Sequence, residues 1–323
     1  MRRRKFLAVL GSAAAALPLR LQAQQMPVIG LLGLGQPDDP AIALNLESLR
    51  QGLAEAGFVE GRNVLIEYRW AHGDVQRLPE LAAELVARRV DVIVTEGGGP
   101  STPLAAKAVK TIPVVFHTPD ALADGIVDNL AHPGGNLTGV SLFAPELFLK
   151  QLQLILELIP SAKSIGALIV PSHQVADAGM REIADFARTK GIALHVYNVD
   201  REAELDTLYA ELVRQRVDGL IVRANSTFVE KLVGLAARHS IPAAYAQRAF
   251  VDGGGLLSYG ANIPAAYVIK GRYAAKILRG AAPGDLPVQQ PDKFELLINL
   301  KTAKALGITV PESLLQRADE VIE

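Results

Sequence analysis

The segment with the strongest chemical signal is a glycine-rich loop that follows a short β-branched run. It reads Glu96-Gly97-Gly98-Gly99-Pro100-Ser101-Thr102. Glycines let a ligand approach the backbone closely, and Ser101 or Thr102 begins a predicted helix whose free N–H groups and dipole favour a carboxylate. No lysine stands at the spacing of a nucleotide-binding loop. The segment therefore predicts either a site for a ligand carboxylate or a capped helix behind a flexible loop.

Other residues near predicted strand ends in the first half of the chain could also contact a ligand. Glu96 is a candidate partner for a ligand amine, and the alternative is a solvated carboxylate. Gly35 and Gln36 follow the first predicted strand, either against a ligand or as a tight turn into the next helix. They do not complete a dinucleotide fingerprint, because Asp38 stands at the third glycine position. Thr118, after the fourth predicted strand, is a further candidate.

The second half of the chain has equivalent loops. Asn225 can donate and accept, which suits an α-amino or amide group, and Arg223 suits an anionic ligand, although an exposed arginine at a strand end is common. Two aromatic residues, Phe143 and Tyr259, lie near predicted crossings between lobes, where they could stack on a ligand or line the hinge. The candidates at strand ends in this half are Ser172, Arg223, Asn225 and Gln247.

The chain has no recognisable catalytic or metal-binding arrangement. It contains no cysteine, which excludes disulfides, thiol catalysis and a lipid anchor on cysteine. Six histidines are scattered without metal spacing, and no nucleophile elbow or zinc-protease motif is present. We therefore expect a protein that binds a small molecule without catalysis, metal or cofactor.

The N-terminal residues resemble an export signal. Arg2 to Lys5 is a charged run, and 14 uncharged residues from Phe6 to Leu19 follow, fewer than the ~20 that span a bilayer. Cleavage is expected near Ala23, so that residues 1–23 are a signal peptide and the mature protein is periplasmic. The segment Arg3-Arg4-Lys5-Phe6-Leu7 fits the twin-arginine pattern, and the alternative is the general secretion route.

Composition agrees with an exported binding protein. The 323 residues are 50% hydrophobic, enough for two buried cores. Without the five basic residues of the signal, 28 basic and 34 acidic side chains remain, a net charge of −6. A mildly acidic chain argues against nucleic acid as a partner.

The elements that must position the candidate residues alternate along the chain. Short β-branched runs alternate with helical stretches from Val28 to Phe116, and the alternation begins again at Leu147 after a turn-rich segment. A βαβαβα order is typical of a doubly wound parallel sheet, in which ligands bind at the carboxyl ends of the strands. Two such units of similar length predict an α/β protein with two lobes of similar fold.

The C-terminal segment departs from this alternation, so we expect the chain to cross between the lobes three times. The predicted crossings lie near Thr138–Leu142, Leu257–Asn262 and Pro291–Asn299. The N-terminal lobe is then residues 27–138 plus 260–290, and the C-terminal lobe is residues 139–259 plus 291–323.

Seven segments, in the same order along the chain, resemble one family. They are Pro27–Gly30, Gly52–Gly57, Glu60–Val64, Ile66–Ala71, His132–Ser141, Ser258–Gly260 and Phe294–Ala303. Together they resemble the ABC-transporter substrate-binding proteins of the TrpX-like group, and the likeness covers nearly the whole chain after the signal.

The resemblance implies the type I periplasmic-binding fold, a Venus flytrap in which two doubly wound parallel-sheet lobes are joined by a three-segment hinge. It implies a monomeric receptor that captures a small organic molecule between its lobes and delivers it to an ABC permease and ATPase. Some members are associated with aromatic amino acids, so an amino acid or aromatic acid is the expected ligand. The alternatives are a periplasmic ligand sensor that signals to a membrane receptor and an enzyme on the same α/β scaffold.

Overall fold

The computed structural model describes residues 26–97, 105, 109–122, 124–142, 146–170, 177–199, 201–224, 228–291 and 293–323. These residues form two β-sheets flanked by helices, which confirms the predicted α/β class. Among the described residues, no helix combines the length and the apolar character needed to cross a membrane.

The first sheet has five parallel strands in the order β2-β1-β3-β4-β5. Their bounds are β1 Val28–Gly33, β2 Leu65–Trp70, β3 Val92–Glu96, β4 Val114–Thr118 and β5 Leu137–Ser141. All residues of β3 and β4 are buried, as expected for strands covered by helices on both faces. The covering helices include α1 (Pro40–Glu55), which Asp39 caps by accepting from the Ala41 N–H at 2.8 Å, and α2 (Leu78–Ala87).

The fifth strand was not predicted, because Thr138–Leu142 was expected to be a crossing. A Cβ on Gly139 would lie 2.0 Å from the Phe116 carbonyl oxygen, so the residue that lets β5 pair closely with β4 also weakens its sequence signal. On its other side, β5 exchanges backbone hydrogen bonds with Gln289, at 2.8 and 2.9 Å.

The second sheet has seven strands in the order β12-β11-β10-β9-β8-β6-β7. They are β6 Ser164–Val170, β7 Ala193–Asn198, β8 Gly219–Ala224, β9 Ala243–Tyr245, β10 Leu257–Ala261, β11 Phe294–Asn299 and β12 Glu320–Ile322. The pairings are parallel except for β10 with β11. After β10 the chain passes to the first sheet, and it re-enters the second sheet next to the end of β10, so β11 runs in the opposite direction. The helices before this departure are α3 Glu146–Leu158, α4 Asp177–Lys190, α5 Leu205–Arg214, α6 Val229–Arg238 and α7 Arg248–Asp252.

Helix α8 (Ile263–Leu278) connects the two halves of the molecule. It begins after β10 of the second sheet, where the Asn262 side chain accepts from the Ala265 N–H at 2.7 Å, and it packs against α1, β3, β4 and β5. The chain then returns to β11 and ends with α9 (Leu300–Ala305), α10 (Glu312–Leu315) and β12. The exact lobe boundaries given above stay a prediction.

Candidate ligand-binding site

Three strands of the first sheet end side by side at predicted site residues. β1 ends at Gly33, β3 at Glu96 and β4 at Thr118. These strands are parallel neighbours, so their carboxyl ends lie at one edge of the sheet, where α/β proteins bind ligands. The Leu34 N–H donates to the Glu96 carbonyl oxygen at 3.4 Å, which joins the first two ends.

Glu96 is buried at this edge, with 4% of its surface exposed, so its interpretation as a solvated carboxylate is wrong. The Tyr267 hydroxyl donates to its Oε1 at 3.5 Å. Its Oε2 makes no hydrogen bond of good geometry with the described residues, and it faces Gly35, whose backbone N–H is near enough to lower the pKa of the carboxyl. A buried oxygen without such a bond is a position at which a ligand N–H group would be stabilised.

A buried lysine on α8 lies behind Glu96. Lys270 has no exposed surface, and its Nζ donates to the Thr95 carbonyl oxygen at 2.6 Å. The same nitrogen lies 2.9 Å from Nδ1 of His117 and 3.5 Å from the centroid of the Tyr267 ring. A carbonyl oxygen, a ring nitrogen and a π face are all acceptors, so this environment suits an ammonium group.

Lys270 was missed as a candidate, although the sequence contains a signal for it. It follows Tyr267 by three residues and precedes Ala274 by four, so it lies on the buried face of an otherwise apolar helix stripe. A lysine at such a position is rarely buried unless it is paired, and this pattern could have singled it out.

Burial shifts the pKa values of the three ionisable groups of this cluster, Glu96, Lys270 and His117. Burial raises the pKa of Glu96 and the charge of Asp39 adds to the rise, whereas the Lys270 charge, the Gly35 N–H and the Tyr267 hydroxyl oppose it. Burial also lowers the pKa of Lys270 well below its usual range, against the attraction of Glu96. Burial and the Lys270 charge lower the pKa of His117, so its ring is neutral and can accept from Lys270.

Arg223, in β8 of the second sheet, lies opposite the first sheet. It is partly buried, and burial lowers its pKa to about 10, while Asp124 and Asp120 oppose the shift. Both aspartates follow β4, and Asp124 accepts a hydrogen bond from the Thr118 hydroxyl. The Arg223 guanidinium also lies 5.4 Å from the centroid of the Phe148 ring. The influence of the two aspartates on Arg223 indicates that the end of β8 faces the loop after β4.

Two of the remaining predicted residues of the first sheet edge, Gly97 and Gly35, are close to Glu96. The Gly97 N–H donates to the Tyr267 hydroxyl oxygen at 3.4 Å, and Gly97 has φ +82°, a conformation that favours glycine. Gly35 packs against Ile42, whose Cδ1 would be 2.3 Å from a Cβ there. Gln36 is exposed, and its Oε1 lies 2.8 Å from Nδ1 of His72.

Two predicted residues of the second sheet have different surroundings. Gln247 is near the end of β8, where its Nε2 donates to the Ala224 carbonyl oxygen at 3.3 Å. Tyr259 lies in β10 and packs with Phe294 at 6.0 Å between ring centroids, among the core residues of that half. Its role as a ligand contact stays a prediction. Five candidates lie outside the described residues: Ser101, Thr102, Phe143, Ser172 and Asn225.

The two α/β units, with charged side chains at opposing carboxyl edges, define a two-lobed binding protein. Residues 38–322 match the family model described as ABC transporter substrate binding protein, so the chain belongs to that family. The protein is accordingly an ABC transporter substrate-binding protein of the type I periplasmic-binding fold, which confirms the resemblance and the solute-capture function inferred from the sequence.

Three known proteins are similar to the chain over most of its length. A tyrosine-binding protein of Clostridioides difficile strain R20291 is 26% identical over 282 residues, which are 86% of this chain and 81% of that protein. The crystal structure of an ABC domain from Streptococcus pneumonia in complex with L-Trp is 30% identical, with a TM-score of 0.82, and covers 92% of this chain and 99% of that one. The ligand-free, open structure of an adhesive substrate-binding protein from Clostridium difficile is 26% identical, with a TM-score of 0.71 and the same coverage.

Proposed function

We propose that the protein captures an amino acid between its lobes and delivers it to the permease and ATPase of an ABC importer. The observation that carries this proposal is the pair of opposite charges at the opposing sheet edges, Glu96 in β3 and Arg223 in β8. An amino acid offers an ammonium group to the carboxylate and a carboxylate to the guanidinium. The tyrosine-binding relative and the L-Trp complex support the same ligand class.

The other predicted contacts complete this proposal. The ligand site would also include residues of both lobes that lie at or near strand ends, together with two aromatic residues near the crossings. These are Gly35, Gln36, Gly97, Ser101, Thr102, Thr118, Phe143, Ser172, Asn225, Gln247 and Tyr259. In this proposal the protein is a monomer that binds no nucleic acid and has no catalytic activity.

A closed arrangement of the lobes fits this proposal. The TM-score with the L-Trp complex is 0.82, against 0.71 with the ligand-free, open structure, at the same coverage of this chain. The charges of Asp120 and Asp124 raise the pKa of Arg223, which likewise requires the edges of the two sheets to be close. A ligand that contacts both lobes would stabilise this closed form by its differential affinity.

We also propose that residues 1–23 direct export to the periplasm through the twin-arginine route. The charged run and the short uncharged segment support this proposal. The protein recovered from the periplasm of producing cells is expected to begin at Gln24, as measured by intact mass, and Arg3→Lys with Arg4→Lys should keep it in the cytoplasm. Unchanged export of that variant would point to the general secretion route.

The ligand class is tested by thermal unfolding of the mature protein with a panel of amino acids, aromatic acids and sugars. L-Tyrosine or L-tryptophan is expected to raise the melting temperature, because a ligand at about 100 times its Kd adds about 2.7 kcal/mol to the free energy of unfolding. Sugars serve as controls and should cause no shift. If amino acids and aromatic acids leave the melting temperature unchanged, the proposed ligand class is wrong.

A further inference from the structure

We propose that Lys270 is a positioning residue for ligand recognition, which keeps Glu96 ionised inside the first lobe so that Oε2 selects a ligand bearing an ammonium group. Lys270 lies behind Glu96, where its described polar contacts are with Thr95, His117 and Tyr267, so it acts on the ligand through Glu96. The identity of the ligand rests on the proposed function, whereas the pairing of Lys270 with Glu96 does not.

The contacts of Lys270 fix the position of its amino group next to Glu96. Its Nζ is held by the Thr95 carbonyl oxygen at 2.6 Å and by His117 Nδ1 at 2.9 Å, under the Tyr267 ring at 3.5 Å. Thr95 directly precedes Glu96, so the first bond also holds the backbone that carries the carboxylate. Because Lys270 is fully buried, a lone charge there would be costly, and an opposite charge nearby offsets that cost.

Among the described residues, Glu96 is the acidic group whose charge acts on Lys270. β3 presents Glu96, β4 presents the neutral ring of His117, and α8 itself presents Tyr267, whose pKa burial raises well above its usual range. From α1, the backbone of Leu49 and Gly52 packs on α8 next to Lys270, and neither residue carries a charge. Arg272 lies on the exposed side of α8, where its Nε is 2.7 Å from Glu55 Oε2.

The pair explains how a buried carboxylate could stay available to a ligand. Burial and the charge of Asp39 both raise the pKa of Glu96, and Lys270 is the largest influence in the other direction. Without the lysine charge, the carboxyl would hold its proton to higher pH. A protonated carboxyl attracts an ammonium group far less than a carboxylate does. Loss of Lys270 should therefore weaken the binding of cationic groups most strongly at low pH.

The first test needs no ligand. Protein labelled with ¹³C at the glutamate carboxyl carbons is titrated by NMR, and the resonance of Glu96 is identified by its absence in Glu96→Gln. In the wild type this resonance should have the shift of a carboxylate between about pH 6 and about pH 8, whereas in Lys270→Met it should titrate within that range. Lys276→Met, on the exposed face of α8, should match the wild type. A protonated Glu96 in the wild type at about pH 7, or an unchanged titration in Lys270→Met, would overturn the proposal.

The second test measures affinity for L-tyrosine and L-tryptophan by calorimetry. Lys270→Met should bind at least about tenfold more weakly than the wild type at about pH 6, and the deficit should shrink towards about pH 8.5, as Glu96 loses its proton. Equal deficits at both pH values would indicate a structural role alone and would contradict the proposal. If neither amino acid binds the wild type, the proposed ligand class fails, and the NMR titration still decides the role of Lys270.

Folding of the variant is controlled by a double substitution. If Lys270→Met is too unstable to titrate, Glu96→Gln with Lys270→Met should melt at a higher temperature than Lys270→Met alone at about pH 8.5, where Glu96 of the single variant is ionised and has no buried counter-charge. A double variant that melts no higher than the single one would count against the pairing.

Discussion

At the scale of single residues, the charge of Glu96 depends on atoms that are distant in the sequence. Tyr267 and Lys270 are separated from Glu96 and its neighbour Thr95 by 171 and 175 positions. The sequence indicated either a ligand amine near Glu96 or a solvated carboxylate, because burial cannot be read from a single glutamate. The helix stripe of α8 contained the missing information, since a lysine on its apolar face requires a buried acceptor or anion.

At the scale of elements, close packing of α1 on α8 keeps Lys270 and Tyr267 behind Glu96. A Cβ on Gly52 would lie 2.1 Å from the Val268 carbonyl oxygen, and a Cβ on Gly271 would lie 2.3 Å from the Leu49 carbonyl oxygen. In both cases the obstacle is backbone, which cannot move aside without separating the helices. Glycine at these positions therefore permits the distance at which α8 reaches the end of β3.

We therefore expect Gly271→Ala to destabilise the protein. Overpacking of a close helix contact costs about 1–3 kcal/mol, which exceeds the gain of up to about 1 kcal/mol in helix propensity. The melting temperature should fall by about 2–4 °C per kcal/mol lost. Gly234→Ala in α6 is the matched control, because a Cβ there meets nothing within 4 Å, and it should leave the melting temperature unchanged or raise it. A variant at Gly271 as stable as the control would show that the helices can separate without cost.

At the scale of the whole molecule, the charges between the lobes should bias the closed form. Asp124 follows β4 of the first sheet and acts on Arg223 in the second, so Asp124→Asn removes part of the attraction between the lobes. The ligand-free variant should have a larger radius of gyration by small-angle X-ray scattering. Its affinity for the captured amino acid should be about twofold to fivefold weaker, as for an ion pair worth up to about 1 kcal/mol.

The control for this prediction is Asp128→Asn, an exposed aspartate in the same segment. Because it removes the same net charge, it separates the attraction between Asp124 and Arg223 from a general effect of charge. A radius of gyration for Asp124→Asn equal to that of the control would mean that Arg223 and Asp124 do not hold the lobes together.

The sequence by itself determined the α/β class, the two units and most of the strands. Parallel strands covered by helices on both faces appear in the sequence as short apolar runs that alternate with helical stretches. The sequence also located the edge of the first sheet at which Glu96 and Thr118 end their strands, because the parallel direction of the strands follows from the repeated units. The tertiary structure alone decided that β5 is a strand, that β10 and β11 run antiparallel, and that Lys270 lies behind Glu96. Those features arise from contacts between segments that are far apart in the chain, and the energy of a buried charge depends on its neighbours in space.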